Sequence, residues 1–254
     1  AGGWAGVESP ALAVAQKELR YLIRSPMMIF TLVMPVLLLM LFRFQFQAYG
    51  PAHPRRLHFN AAGMGFPVGI AYSLLVLTNL VFNALGTDAV GVQFYFVSPA
   101  RFRQVLMGKN LAYGAILAVD VVVLAAIATA IDGMPSGWLL AVTLIGLAFA
   151  AICDFTCGNL CSLFLPKKID LSRLGRQGAR GTSGIVALAI QGVVAGVVAI
   201  SVVGGIALGR RWITPVMLAV LAAAATGVYF VVLGQSDAIA QARRETIVAE
   251  LSKA

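Results

Sequence analysis

Residues 111–131, LAYGAILAVDVVVLAAIATAI, place one charged side chain among twenty-one positions. At about 1.5 Å of rise per residue, a helix of this length crosses the hydrocarbon core of a bilayer. Working outward, five more apolar runs of similar length occupy 27–46, 62–84, 138–165, 185–208 and 213–233. The whole chain is 60% hydrophobic and 11% charged, with a mean hydropathy of +0.90. Soluble domains average about 45–50% apolar and about 25% charged residues, and they do not arrange the excess in membrane-length runs. The sequence therefore specifies an all-α integral membrane protein with six transmembrane helices in a single domain, 1–254. Pro35 and Pro67 fall inside two of the runs, where neighbouring helices can satisfy the freed carbonyls.

The net charge of +9 does not point to nucleic acid, because no basic stripe interleaves with aromatics on a soluble fold. It follows the positive-inside pattern instead. Fourteen Lys and Arg flank one side of the six runs and five (Arg43, Arg55, Arg56, Arg210, Arg211) flank the other. The richer side holds both termini, 86–110 and 166–184. The expectation is a multi-pass protein of a bacterial-type inner membrane with both termini cytoplasmic. The opening AGGWAGVESP lacks an initiator Met and a signal-peptide pattern, which suits a trimmed chain or one half of a longer one.

Residues 10–25 read as an interfacial amphipathic helix, with Leu12, Ala15, Leu19, Leu22 and Ile23 on the apolar face. Residues 235–254 read as a polar cytoplasmic tail, solvated or in contact with a partner. Between spans two and three lies the longest mixed segment, GTDAVGVQFYFVSPARFRQVLMGKN (86–110). Val90, Val92, Phe94, Phe96 and Val97 supply apolar surface. Ser98 and Pro99 are placed to cap and start a helix that carries Phe102, Val105 and Leu106 on one face and Arg101, Arg103 and Gln104 on the other. The Gly108–Lys109 pair is not a phosphate loop, since Arg103 stands where its first glycine is needed and Asn110 where Ser or Thr must follow.

The order KELRYLIRSP, span, outer loop, span, then this segment, resembles the permease subunits of type-2 ABC exporters. Asp88 takes the acidic position of that family's coupling helix, Gly91 its glycine, VSPARF its turn and VLMGKN its last element. The Arg that commonly follows the acid is missing from TDAVGVQ. The resemblance implies a cytoplasmic coupling helix within 87–110, with Asp88, Gly91, Phe94, Ser98, Pro99, Arg101, Gly108 and Lys109 meeting a separate ABC ATPase subunit. It also implies a second six-span half, either an identical chain or the rest of a longer two-half permease. ATP and Mg²⁺ would then sit on the partner, and this chain would carry no cofactor and no catalytic residue.

Ionisable groups at membrane depth are functional candidates. Asp120 and Asp154 lie on the third and fourth spans, each about 15–18 Å from the cytoplasmic boundary. With Asn159 they are candidates for a transport path or a proton-sensitive gate; the alternative is a packing role within hydrogen bonds. Cys153, Cys157 and Cys161 form a stripe at four-residue spacing. Thiolates bind soft metals, but no His joins the stripe, so the reading is packing. Gly192 and Gly196 form one GxxxG, a close-packing face. His53 and His58 read as loop residues, and 166–184 as a basic anchor beside anionic lipid or a second partner contact. Two other functions share these residues. One is a lipid-headgroup enzyme using Asp120, Asp154 and the basic loop; the other is an ion-coupled secondary transporter built on the same two acids.

Overall fold

The computed structural model describes residues 9–49, 64–167 and 182–252. His53, His58 and most of the basic 166–184 loop lie outside them. The described residues form helices joined by turns, with no strand among them. In chain order the helices are α1 (Pro10–Ile23), α2 (Pro26–Tyr49), α3 (Gly65–Val81), α4 (Gln93–Val97), α5 (Phe102–Asp132), α6 (Gly137–Phe164), α7 (Thr182–Ala207), α8 (Ile213–Ala242) and α9 (Arg244–Ser252). A short 3₁₀ turn, Ala89–Val92, precedes α4.

Six helices coincide with the six apolar runs. By length and composition, α5, α6, α7 and α8 can each cross a membrane, whereas 32–45 within α2 and Gly65–Val81 form shorter apolar stretches. Among the described residues, four helices are thus candidate membrane spans, against the six expected. Pro67 lies in the first turn of α3, where its missing N–H has no intrahelical partner to lose. Pro35 lies within α2.

α3 is the shared strut of the bundle and touches α2, α5, α6 and α7. Its Leu74, Leu77, Leu80 and Val81 join Tyr113 and Ile116 of α5 and Phe149 and Ala150 of α6 in one buried cluster. Where α6 crosses α3, a Cβ on Gly158 would stand 2.6 Å from Val81, so only glycine permits this approach. Cys161 is buried in this cluster, with Cys153 and Cys157 packed against it, all as free thiols. Gly192 and Gly196 differ from expectation: among the described residues nothing lies within 4 Å of a Cβ built on either. The GxxxG face meets no partner among the described residues.

One end of the bundle collects α1, the 86–101 turn, α9 and the last turns of α6 and α8. Two helices run farther into it than hydropathy predicts. α5 begins at Phe102, nine residues before the apolar run, and α8 continues to Ala242, nine residues beyond its own. Arg103 N–H at the start of α5 donates to Asp237 Oδ1 of α8 at 2.8 Å, and the Arg101 N–H donates to Gln104 Oε1. These bonds satisfy orphan donors of the first helical turn. The start expected at Ser98–Pro99 is therefore displaced by three residues: Ser98 ends α4 in an extended conformation, and its Oγ accepts the Ala100 N–H.

The tail is not a free solvated helix. Ile247 and Leu251 of α9 are fully buried with Leu85, Val92, Phe102, Leu106 and Leu163. Burial of such side chains stabilises by about 1.5–3 kcal/mol each. The α1 face is also rotated from expectation. Ala11, Ala15, Glu18 and Leu22 are buried, while Leu12 and Ile23 are exposed. The cause lies on α5. A Cβ on Gly108 would collide with the Ala11 carbonyl and with Val14, so glycine lets the α1 backbone rest directly on α5.

Candidate functional site

The turn after α3 is fixed before any charge is considered. Ala84 N–H donates to Ser162 Oγ of α6 at 2.8 Å. The Asn83 amide exchanges hydrogen bonds with both backbone groups of Lys167. The chain then passes through Ala89 at φ 45°, a left-handed conformation that strains a residue with a Cβ. This path delivers Asp88 to the junction of α1 and α5.

Four charged groups meet there. Lys109 Nζ lies 2.7 Å from Glu18 Oε1 and 2.7 Å from Asp88 Oδ2. Lys17 Nζ pairs with Asp88 Oδ1 and also donates to the Tyr95 hydroxyl at 2.9 Å. Tyr95 OH in turn donates to Asp88 Oδ2 at 3.2 Å, and Lys109 reaches Thr87 Oγ1 at 3.4 Å. Two cations and two anions leave the cluster neutral. Lys109 is wholly buried, and the side chains of Glu18 and Asp88 are nearly so. The Lys17 side chain is half exposed and forms the outer lid.

Burial alone would raise the Asp88 carboxyl, but the ammonium groups of Lys109 and Lys17 overcome it and hold the group below its ordinary range. Lys17 responds in the matching sense. Partial burial works against its charge, and the Asp88 carboxylate more than offsets that, holding the proton on well above the ordinary lysine range. Removing one member of such a group leaves an uncompensated buried charge, so the cluster locks three elements in one geometry.

The residues expected at a coupling segment divide between two faces. Asp88, Gly108 and Lys109 point into the protein. Phe94, Ser98, Pro99 and Arg101 are exposed, Phe94 at 72%, and Val97 beside them is 73% exposed. Gly91 is half-buried and meets no close neighbour. On the outer side, Phe94, Phe96 and Val97 of α4 face Arg244, Val248 and Ala249 of α9 across a groove of about 550 Å³. The Arg244 guanidinium stacks over the Phe96 ring at 5.5 Å.

Deeper in the bundle, polar side chains form two separate sets. Asn110 Nδ2 donates to Asn159 Oδ1 and to the Tyr229 hydroxyl, each at 3.1 Å, joining α5, α6 and α8. Asp154 of α6 accepts a hydrogen bond from the Gln191 amide of α7, which also donates to Thr78 Oγ1 of α3 at 3.0 Å. Asp120 faces Ser73 of α3, but the Ser73 hydroxyl donates to the Gly69 carbonyl and neither Asp120 oxygen is hydrogen-bonded. Asp120 and Asp154 make no contact with each other. Asp120 lies by Ser73 of α3, and Asp154 is joined to Thr78 of α3 through Gln191; Ser73 and Thr78 are five residues, or about 7.5 Å, apart along the axis. No group of three or more His, Cys, Asp or Glu side chains is placed to hold a metal among the described residues.

Sequence reading missed Glu18, Lys17, Tyr95, Asp237, Thr78 and Gln191. A signal existed for Glu18, which falls on the apolar stripe of α1 between Ala15 and Leu22. An acid at that position asks for a buried cation.

Apolar helices of membrane length, packed around a core into which polar side chains are drawn, define a multi-pass α-helical membrane protein. A family model described as a membrane protein of 12 TMs matches residues 5–236, and the chain belongs to that family. No curated protein and no solved structure matches it. The family match overturns the resemblance to type-2 ABC exporter permeases. The residues that carried that resemblance are few, and the structure shows that Asp88, Gly108 and Lys109 serve internal packing and pairing.

Proposed function

We propose that this chain is one six-span half of a twelve-span membrane transporter whose 86–101 segment passes movement between a partner and the spans. The observation that carries the reading is the two-sided build of that segment. Its inner face is locked to α1 and α5 through Asp88, Lys109, Glu18 and Lys17, while Phe94 and Val97 stand exposed on its outer face. An element clamped to a long span helix transmits a rigid-body displacement without dissipating it in the loop.

The partner at this face is assigned as a separate ATP-hydrolysing protein, which would hold the nucleotide and Mg²⁺; no catalytic step is assigned to this chain. The excess of Lys and Arg on this side supports a cytoplasmic location for it in a bacterial-type inner membrane. The second half, an identical chain or another part of a longer one, is proposed to cover the open GxxxG face of α7. The path is assigned to the interior lined by Asp120, Asp154 and Asn159.

The test is purification of the full chain from its native membrane with its partners, followed by assay of ATP hydrolysis. Hydrolysis should copurify with the parent chain and be lost with Phe94→Asp/Val97→Asp, while the thermal unfolding of the chain stays unchanged. Absence of hydrolysis from the parent preparation, or its full retention in the variant, contradicts the reading.

A further inference from the structure

Asp154 lies ten residues inside the end of α6, about 15 Å along the helix, and its side chain is fully buried. Its Oδ2 accepts from Gln191, and its Oδ1 has no partner. An ionised carboxylate buried this way is very costly unless a positive charge joins it. Two other buried carboxylates, Glu18 and Asp88, each have a lysine in contact, whereas Asp120, like Asp154, meets no cation among the described residues. The titratable side chains near Asp154 are Cys153 and Cys157 of its own helix, both free cysteines. α3 presents Thr78, α7 presents Gln191, and α8 brings Leu221, Ala222 and Ala225 to the surrounding apolar cluster.

We propose that Asp154, Gln191 and Thr78 form a proton-binding site whose occupancy governs how α7 is held against α3 and α6. The inference rests on the transporter reading only in naming the path, and it identifies the proton as a ligand of that path. A single unpartnered oxygen matches a single positive charge. A proton needs only that one oxygen, whereas an alkali ion needs a shell of several, so the proton is taken as the occupant. Gln191 is the latch. Its one amide nitrogen donates to both α3 and α6, and the remainder of α7 offers largely apolar side chains, many of them exposed. With the proton on Oδ1 the carboxyl is neutral and α7 stays docked. When the proton leaves to water, the anion requires hydration, and α7 must part from α6 to admit it.

The direction with pH follows from linkage. The docked state binds one proton more than the released state, so docking weakens as pH rises, by at most about tenfold in the equilibrium constant per pH unit. The test uses the purified full chain in lipid vesicles, in buffers from mildly acidic to alkaline, each made with sodium or with choline as cation. Infrared difference spectra report protonated carboxyl, and hydrogen exchange reports protection of α7. A protonated-carboxyl band should vanish in Asp154→Asn. In the parent chain α7 protection should fall with pH by up to about tenfold per unit, equally in sodium and choline. Asp154→Asn should keep α7 protected across the range. Should that variant fail to fold, Gln191→Leu decides, because removal of the latch should leave α7 poorly protected at every pH. A carboxyl spectrum that Asp154→Asn leaves unchanged, flat protection in the parent, a shift produced by sodium instead of pH, or a Gln191→Leu profile like the parent's overturns the proposal. No partner or transported solute enters these measurements, so their outcome is separable from that of the ATP-hydrolysis test.

Discussion

Lys109 Nζ lies 2.7 Å from Asp88 Oδ2, which ties the start of a 31-residue span helix to the turn that precedes it. Between the two residues the chain makes a 3₁₀ turn, a short helix and an extended linker, and then returns. The pair closes that excursion, and Glu18 extends the closure to α1.

Lys109 and Lys17 occupy one cluster but differ in exposure, and that difference sets the size of their effects. Lys109→Met leaves two buried acids facing each other with only a half-exposed cation nearby, a change costing about 3–5 kcal/mol. Lys17→Met removes the outer lid, where solvent screens the loss, and should cost about 1 kcal/mol or less. Thermal unfolding of the purified variants in one detergent should rank parent, Lys17→Met, Lys109→Met in falling order. Equal melting temperatures for the two variants would show that burial does not set the energetics here.

Acid should release the 86–101 segment late. The folded-state pKa of Asp88 lies below its unfolded value of about 3.9, so its contribution is complete above that value. As pH falls below it the contribution shrinks, and it is gone once pH passes the lowered folded-state pKa. Protection of 86–101 against hydrogen exchange should therefore hold through mild acid and collapse only below the ordinary carboxylate range. Collapse in mild acid would mean that Asp88 is not held as a paired carboxylate.

Three glycines should respond differently to one added methyl. Gly108→Ala drives a Cβ into the Ala11 carbonyl, and Gly158→Ala drives one into Val81, backbone included. Each should destabilise by about 1–3 kcal/mol through forced separation of helices. Gly192→Ala meets nothing among the described residues and should leave stability unchanged or slightly raised. Unfolding of the three variants, measured on the chain free of any second half, checks the ranking.

Asp237→Ala should loosen the start of α5. The carboxylate accepts the Arg103 N–H across two helices, and loss of such a capping bond costs about 0.5–2 kcal/mol. Hydrogen exchange at residues 103–105 should rise in the variant while the middle of α5 stays protected. No change there would mean that water replaces the cap at no cost.

The helices were legible because hydropathy is a local property, and a helix lies within each apolar run among the described residues. Their ends were not, since nothing in the apolar pattern reveals that 102–110 and 234–242 continue the spans as polar-faced helix. Asp88, Gly108 and Lys109 stood out in the sequence, yet as elements of an outward coupling surface. Their inward roles depend on partners 71 and 91 residues away in the chain, which no short pattern encodes. Asp120 and Asp154 were visible as acids at membrane depth. Gln191 and Thr78 were not, because a lone amide and a lone hydroxyl in apolar helices gain meaning only when α3, α6 and α7 converge. The tail read as polar by composition, and only its docking on Leu85 and Phe102 buries Ile247 and Leu251.

The central claim is that the buried ion cluster holds 86–101 rigidly on α1 and α5. Its most direct test is a double-mutant cycle of Asp88→Asn and Lys109→Met, read by hydrogen exchange across 86–101 in the purified chain. Each single variant should raise exchange throughout the segment, and the double variant should be no worse than the more severe single, with a coupling of about 0.5–3 kcal/mol. Strictly additive effects, or exchange in 86–101 unaltered by either substitution, would contradict it.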